Sequence, residues 1–569
     1  MRKPKLREAH APRAAYTRKR DIRATLANAA PMLISVVLAL VVHLLHTGYG
    51  YGTGSQDQWL PAALQRLDGQ LFTRDTWVLF QNATWHSLSL LIVLVGMLGR
   101  VIDPPLLTGL LYVGAFLFTG SAIYRMAFAA TGRTFVGFGT VLLAQVVTPH
   151  WSLGASELAP HYLTPAMIAW SGLAWALVYH QEGRWYRVAV LTGLAGWFDP
   201  TLAFSVAWLF VSLFAVDRWI VRHGARGAVP SGRALVRWVG IVALVGLPGW
   251  IGGVWPWLVG RGGDPEAMSS ENLFYIWAQY RYAVESFFMA FSKASVGRFA
   301  LFAGGAFLAL RAPGVRERLV GSDYLEKVVV TIAGMVAFAF VFTELLPVLG
   351  IVMLDFYALT VWTRIIFSLF VAAWFANLLL TDRLDAFDAW MRGRVAPLVA
   401  GAVVVGVGLG AALDYAPIAR RLDVARFQHR ETASAEAWIR ENTSKDALVL
   451  VPPSWQGFRA ATNRSIVVNF ELMPERPDGM VAWFGRMRDV APYPLMPRNA
   501  ILRGVLMDGA YNGIPGARLW EMAKQYEFDY VIRSRETGPI DAGFMLLHET
   551  PTWLIYEPYR GELPTLDVP

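Results

Sequence analysis

Apolar and polar positions in this chain fall into long blocks. Eleven stretches are apolar enough to read as membrane-spanning helices: Pro31 to Thr47, Pro105 to Ile123, Thr134 to Thr148, Leu163 to His180, Val188 to Phe198, Thr201 to Val216, Trp238 to Trp257, Val296 to Leu310, Val328 to Leu346, Thr360 to Leu380 and Val395 to Leu413. The weakest of them, Val188 to Phe198, is short, and Asp199-Pro200 divides it from the next, as in a hairpin or a broken helix. A further apolar stretch, His86 to Gly99, has 14 residues, fewer than the roughly 17 to 25 that a crossing helix needs, and reads as half-inserted or re-entrant. After Leu413 the period changes. ALVLV (Ala447 to Val451), SIVVNF (Ser465 to Phe470), DYVIRS (Asp529 to Ser534), FMLLHE (Phe544 to Glu549) and WLIYEP (Trp553 to Pro558) read as strands. Helices are expected between them: one after Thr432 or Ser434 with Glu436 in its first turn and Asn442-Thr443 at its end, one over Gly479 to Arg488, and one over Arg518 to Tyr526.

These blocks predict a polytopic α-helical membrane protein of about 11 spans with a C-terminal three-layer α/β domain outside the membrane. The expected divisions are a basic N-terminus (1–30), a membrane domain (31–413) with a long first outer loop (48–104), and a water-soluble tail (414–569).

Composition agrees with the bilayer as solvent: 55% of residues are hydrophobic and 16% charged, with a mean hydropathy of +0.39. The net charge of +9 does not point to nucleic acid, because the basic residues cluster in short stretches between apolar runs, where they set topology. Met1 to Arg23 holds nine Lys and Arg against Glu8 and Asp21 and should stay in the cytoplasm. With His86 to Gly99 left out of the count, the QEGRWYR loop, Arg218 to Arg237, Arg311 to Lys327 and Asp382 to Arg394 all fall on the cytoplasmic side. Gly48 to Pro104, Pro149 to Tyr162, Leu258 to Ser295 and everything after Asp414 then lie outside. No signal-peptide cleavage site precedes GYGYGTGSQDQ, so the first span reads as a retained anchor. The chain has no cysteine, which excludes disulfides, thiol catalysis and thiolate metal sites. The strands carry no GxGxxG or Walker sequence, so nucleotide binding has no support.

The chemistry-bearing residues lie in the outer loops. The first holds Asp57, Asp68 and Asp75 with Arg66 and Arg74 between them. A carboxylate there can take a proton from an acceptor hydroxyl and an arginine can neutralise a departing phosphate; alternatively Ser55 or Asp57 caps a helix over Gln58 to Leu67 and Asp75 caps the next. The third outer loop interleaves Tyr280, Arg281, Tyr282, Glu285 and Lys293 with aromatics, which suits a phosphate headgroup or an aromatic belt with a snorkelling arginine. Arg364 sits inside an apolar run, where an ionisable group is costly unless it is paired, with Asp355 or Glu344, or coordinates a phosphate. His150, Glu157 and His161 share one outer loop, and with Asp57 could hold a divalent metal, although their spacing matches no ligand motif. Asp199 either lines the cavity or caps the helix that Pro200 starts, and His43 and His46 on the first span face the cavity or pack.

Two stretches, YGYGTGSQDQWLPAALQRLDGQLFTRDTWV and AEAWIRENTSKDALVLVPPSWQGFRAATNRSIVVNF, resemble a group of bacterial multi-spanning proteins built on the GT-C glycosyltransferase plan. The resemblance implies an inner-membrane protein with a cytoplasmic N-terminus and a polyprenyl-phosphate-linked sugar as donor. It also implies a glycan, lipid or protein acceptor at the outer face. By that likeness Asp57 is the base, with Asp75 as its alternate. Arg281, Arg364 and Arg74 would hold the donor phosphate, and Glu157, His161, Asp199, Tyr280 and Glu285 would line the cavity. This chain has a lone Asp in SQDQ where many such enzymes carry paired acids, and YRYAVESFF where a histidine is expected. A glycolipid transporter and a non-catalytic scaffold for envelope glycan assembly are the competing readings.

Overall fold

The computed structural model describes residues 22–148, 151–153, 157–222, 231–259, 268–282, 287–288, 291–379, 381–393, 395–412, 422–423, 431–492, 500–540 and 543–559. Most of them are helical. Each of the eleven expected spans falls on a helix, but length and composition qualify only six of these to cross a membrane alone, or eight when two bent pairs each count as one. The expected count of about 11 is therefore larger than the number of full-length apolar helices among the described residues. Thr134–Leu142 with its π-helical extension Leu143–Val147, and Trp185–Ala195, are short for a crossing helix, while Pro165–Gln181, with 17 residues, stands at the lower limit. Trp238 to Trp257 belongs to two helices, Gly232–Val245 and Leu247–Val259, bent by 71°.

Ser89–Leu98 is a ten-residue helix, about 15 Å long at 1.5 Å per residue and so about half a bilayer core. Asp199 caps Pro200–Arg222: its Oδ1 accepts from the Leu202 N–H at 2.9 Å and the Thr201 hydroxyl at 2.8 Å. The bundle is built around Thr360–Leu378, which packs against Thr134–Leu142, Lys293–Arg311 and Ser322–Phe340. His43 hydrogen-bonds the Tyr112 hydroxyl at 2.6 Å and lies 5.1 Å from the Phe116 ring, so it packs.

The tail forms a mixed five-stranded sheet. The chain's strands are β1 (Tyr49–Gly50), β2 (Leu422–Asp423), β3 (Leu448–Leu450), β4 (Ser465–Ile466), β5 (Tyr530–Ser534), β6 (Phe544–Glu549) and β7 (Trp553–Pro558). The sheet order is β4-β3-β5-β7-β6, with β3 parallel to β4 and β5 and β7 antiparallel to its neighbours. Strand alternation sends Val449, Ile466, Ile532 and Ile555 to one face, where Ala435 and Ile439 of helix Ala433–Asn442 cover them. Leu450, Val531, Leu554 and Tyr556 face the other way, into the core shared with Met507, Tyr511, Leu519 and Met522 of helices Ala500–Asn512 and Gly516–Tyr526. SIVVNF is a strand only at Ser465–Ile466; Val467 still donates to the Val449 carbonyl at 3.1 Å, but its own carbonyl accepts from the Trp77 indole. β1 pairs in parallel with β2, which ties the chain just after the first helix to the chain after Val395–Ala412.

Candidate functional site

The segment 48–104, expected as the first outer loop, is folded and packed against the tail. Asp75 caps Thr76–Ala83 through the Trp77 and Val78 N–H groups, as its position before an apolar run predicts. The Trp77 indole donates to the Val467 carbonyl at 3.0 Å. Gly54 has φ +55°, and a Cβ there would lie 2.3 Å from the Tyr162 ring, so only glycine allows this turn to approach the second outer loop.

Asp57 does not cap a helix. Leu60–Leu67 begins without a side-chain cap, and the Asp57 side chain, 1% exposed, points into the tail. Its Oδ2 accepts from the Gly457 N–H at 2.7 Å and lies 3.5 Å from the Asn469 amide nitrogen. Gly457, at φ +76°, starts helix Phe458–Thr462 in the left-handed region that glycine adopts without strain. Asn469 Oδ1 accepts from Arg459 Nη1 at 2.9 Å, and Arg459 Nε donates to Asp75 at 2.7 Å. The two acids of the first loop are thus joined through one asparagine and one arginine of the tail. Asp75 has no exposed surface and accepts from five N–H groups: Trp77, Val78, Ile466 and two of Arg459. Asp75, expected as the alternate base, is thus an enclosed carboxylate that anchors the loop to the tail.

Arg74, expected on a donor phosphate, instead pairs with Asp529 at 2.5 Å and donates to the Glu527 carbonyl. Asp529 also accepts from the Leu448 N–H at the start of β3, so this pair locks the loop to the sheet. Tyr280, expected to line a cavity, is 1% exposed and sits among the rings of Phe470, Trp483 and Phe484. It is core of the contact between third loop and tail, and burial raises its phenol. Asp199 is likewise a helix cap, as described above.

Arg281 and Arg364, also expected on a donor phosphate, are buried and bonded within the chain. Arg281 Nη2 donates to Glu471 at 2.8 Å, and its guanidinium lies over the rings of Tyr282 and Phe470. Arg503 fixes the backbone beneath it by donating to the Tyr280 and Arg281 carbonyls, each at 2.9 Å. Arg364 is fully buried; its Nη1 donates to the Thr148 carbonyl at 2.8 Å, and Glu157 acts on it electrostatically. His161 is exposed, edge-on to Tyr162 at 4.6 Å. Tyr162 lies within electrostatic reach of both Glu157 and Glu471; burial first, and then these carboxylates, raise its phenol. Glu285 and His150 lie outside the described residues. Among the described residues no three His, Cys, Asp or Glu side chains cluster to hold a metal.

One polar region therefore gathers Asp57, Glu157, Tyr162 and Arg281 with Gly457, Asn469 and Glu471. The sequence reading missed the last three and Arg459. Their signal was a charged or amide residue inside an otherwise apolar run, Arg459 in GFRAA and Asn469 in IVVNF, with no surface reason for it.

Residues 430–490 match a domain of unknown function, DUF6798. That segment contains several of the tail residues that meet the first and third loops, Gly457, Arg459, Val467, Asn469 and Glu471 among them. No curated protein matches the chain. Among solved structures the chain is similar to ArnT from Cupriavidus metallidurans bound to undecaprenyl phosphate, at 14% identity and a TM-score of 0.44 over 94% of this chain and 97% of that one. It is also similar to the archaeal oligosaccharyltransferase AglB from Archaeoglobus fulgidus in complex with an inhibitory peptide and a dolichol-phosphate, at 11% identity and a TM-score of 0.38 over 96% of this chain and 76% of that one. Likenesses this distant carry no argument about chemistry.

Proposed function

We propose that this chain is a GT-C-type membrane glycosyltransferase that moves a sugar from a polyprenyl-phosphate donor to a hydroxyl acceptor at the outer face of the cytoplasmic membrane. The observation that carries the reading is convergence. An acid of the first outer loop, Asp57, and an arginine of the third, Arg281, meet the tail through Gly457, Asn469 and Glu471, which are consecutive stations on one short stretch of chain. Glu157 and Tyr162 of the second loop border the same region, and Arg364 lies in the bundle within the field of Glu157.

In this reading Asp57 takes the proton of the acceptor hydroxyl as its oxygen attacks the anomeric carbon. The bond from that carbon to the phosphate oxygen breaks, the configuration inverts, and polyprenyl phosphate departs with the electron pair. Arg281 and Arg364 offset the charge that develops on the phosphate. The tail orients the acceptor. Asp57 is enclosed in the described arrangement, so turnover requires residues 454–457 to withdraw and release its Oδ2 from the Gly457 N–H.

The same enclosure favours a second reading, a non-catalytic scaffold in cell-envelope glycan assembly in which Asp57 and Asp75 serve only to dock the tail. Mass spectrometry of lipids that copurify with gently extracted protein separates the two. Bound polyprenyl phosphate or its glycosylated form, lost on replacing Arg281, is the result expected of a transferase. Bulk phospholipid alone, with Asp57→Asn fully functional in cells, would leave the scaffold.

A further inference from the structure

A cavity of about 610 Å³ lies between the loop before Trp185–Ala195 and the start of Gly232–Val245. Arg184, Arg187, Arg233 and Arg237 line it, with Trp185 and Trp238. Pro165–Gln181 begins just after Tyr162 of the polar region and runs about 26 Å at 1.5 Å per residue, so the cavity lies at the far end of the bundle from that region. The two loops that form it are those whose basic residues mark a cytoplasmic location, and their helices pack side by side.

Several other cations on that side pair with acids of the chain. Arg316 pairs with Asp323 and Glu326, Arg133 with Asp385 and Asp388, and Lys327 with Asp217. In the cavity Arg184 is held by Glu182 at 3.0 Å, and Arg187 lies over the Tyr179 ring at 5.0 Å. Among the described residues no carboxylate lies within ion-pair distance of Arg187, Arg233 or Arg237. Arg187, Arg233 and Arg237 are exposed and face one space with no acid paired to them, a basic surface that attracts an anion from outside the chain. Its lining also includes apolar surface, Tyr186, 66% exposed, and half-buried Ile241, which a soluble anion would leave uncovered.

We propose that this cavity binds the phosphate headgroup of an anionic phospholipid. The geometry is that of a basic pocket between membrane helices, in which arginines fix the phosphate while acyl chains cover the flanking apolar surface. The site is separate from the transferase region, and its test does not depend on any turnover.

The experiment uses the full chain, purified in a non-ionic detergent, delipidated and offered cardiolipin or phosphatidylcholine, with bound lipid counted by native mass spectrometry. Cardiolipin retention is expected to fall about fivefold for each arginine removed in Arg233→Gln and Arg237→Gln, while phosphatidylcholine adducts stay level. The double Lys variant of the same two positions should retain cardiolipin, and Arg316→Gln should change nothing. Equal retention in the wild type and the double Gln variant overturns the proposal, as does equal loss in the double Lys variant, which would trace the effect to shape and not charge. Arginine-dependent binding of inorganic phosphate without any preference for cardiolipin would make the cavity a soluble-anion site and overturn the lipid assignment.

Discussion

Asp75 and Arg459, 384 positions apart in sequence, form an ion pair of 2.7 Å with no exposed surface on either side chain. Burying two charges is costly unless every polar atom finds partners. Here Asp75 accepts from three backbone N–H groups as well as the guanidinium, and Arg459 reaches on to Asn469. The pair fixes how the tail meets the first outer loop, and so fixes what faces Asp57.

Replacing Arg459 with Met should therefore loosen the tail from the loop. An unpaired buried carboxylate costs about 3 to 5 kcal/mol. Thermal unfolding of the detergent-solubilised protein is expected to show a large loss, with faster proteolysis after residue 430. The double variant Asp75→Leu with Arg459→Met should recover most of it, short of the helix cap, which is worth about 1 kcal/mol. Full recovery would mean that the cap contributes nothing.

Asp57→Asn separates chemistry from docking. The amide keeps the shape and an oxygen that can still accept from the Gly457 N–H, so stability should change by no more than about 1 kcal/mol. Transfer from a polyprenyl-phosphate-linked sugar should fall by about 10²- to 10⁴-fold, the range of a general base. A folded variant with undiminished transfer would remove Asp57 from the mechanism.

Docking should weaken as pH rises. Glu475 is partly buried, and its carboxylate accepts from the Ser87 N–H and hydroxyl at the entrance to the Ser89–Leu98 helix. Burial raises its pKa, and the two Ser87 bonds offset only part of that. The folded state thus holds this proton at a pH where the unfolded chain, titrating near 4.3, has released it. With more protons bound in the folded state, stability falls as pH climbs from about that value through the raised folded pKa. Burial raises Asp508 as well, so it adds the same sign. Glu475→Gln should flatten the decline in melting temperature over that window, and a wild-type profile that rises there would contradict the assignment.

The parts of this molecule legible in sequence are those set by local periodicity. Pro104–Thr131 and Ser322–Phe340 announce themselves as apolar runs, and Asp75 announces itself as a cap by standing before one. Asp57 could not be read that way. Its role depends on Gly457, 400 residues later, and no local pattern encodes which backbone N–H a carboxylate will meet across a domain contact. The partners of Arg74 and Tyr280 were hidden for the same reason: each has the right chemistry for a ligand, and only the fold shows Asp529 beside the one and the Phe470, Trp483 and Phe484 rings around the other. Span number is the least legible quantity, because apolar character alone does not distinguish a short helix packed inside the bundle, such as Trp185–Ala195, from one long enough to cross.

Glu471 offers a prediction that the two functional readings answer in opposite ways. It accepts from Arg281 at 2.8 Å and from Gln456 at 3.0 Å, and so occupies a guanidinium that a donor phosphate would need. If Arg281 binds the phosphate during turnover, Glu471 is its competitor, and Glu471→Gln removes the competing charge while leaving an oxygen for the tail contact. Polyprenyl phosphate retained through purification should then rise, by about tenfold if one charge-assisted hydrogen bond is released to the ligand. In a scaffold the Arg281–Glu471 pair only holds the tail to the third loop, so the same substitution lowers stability and leaves lipid retention unchanged. Measuring both quantities on one preparation decides between them, since a gain in lipid together with a loss in melting temperature cannot come from docking alone.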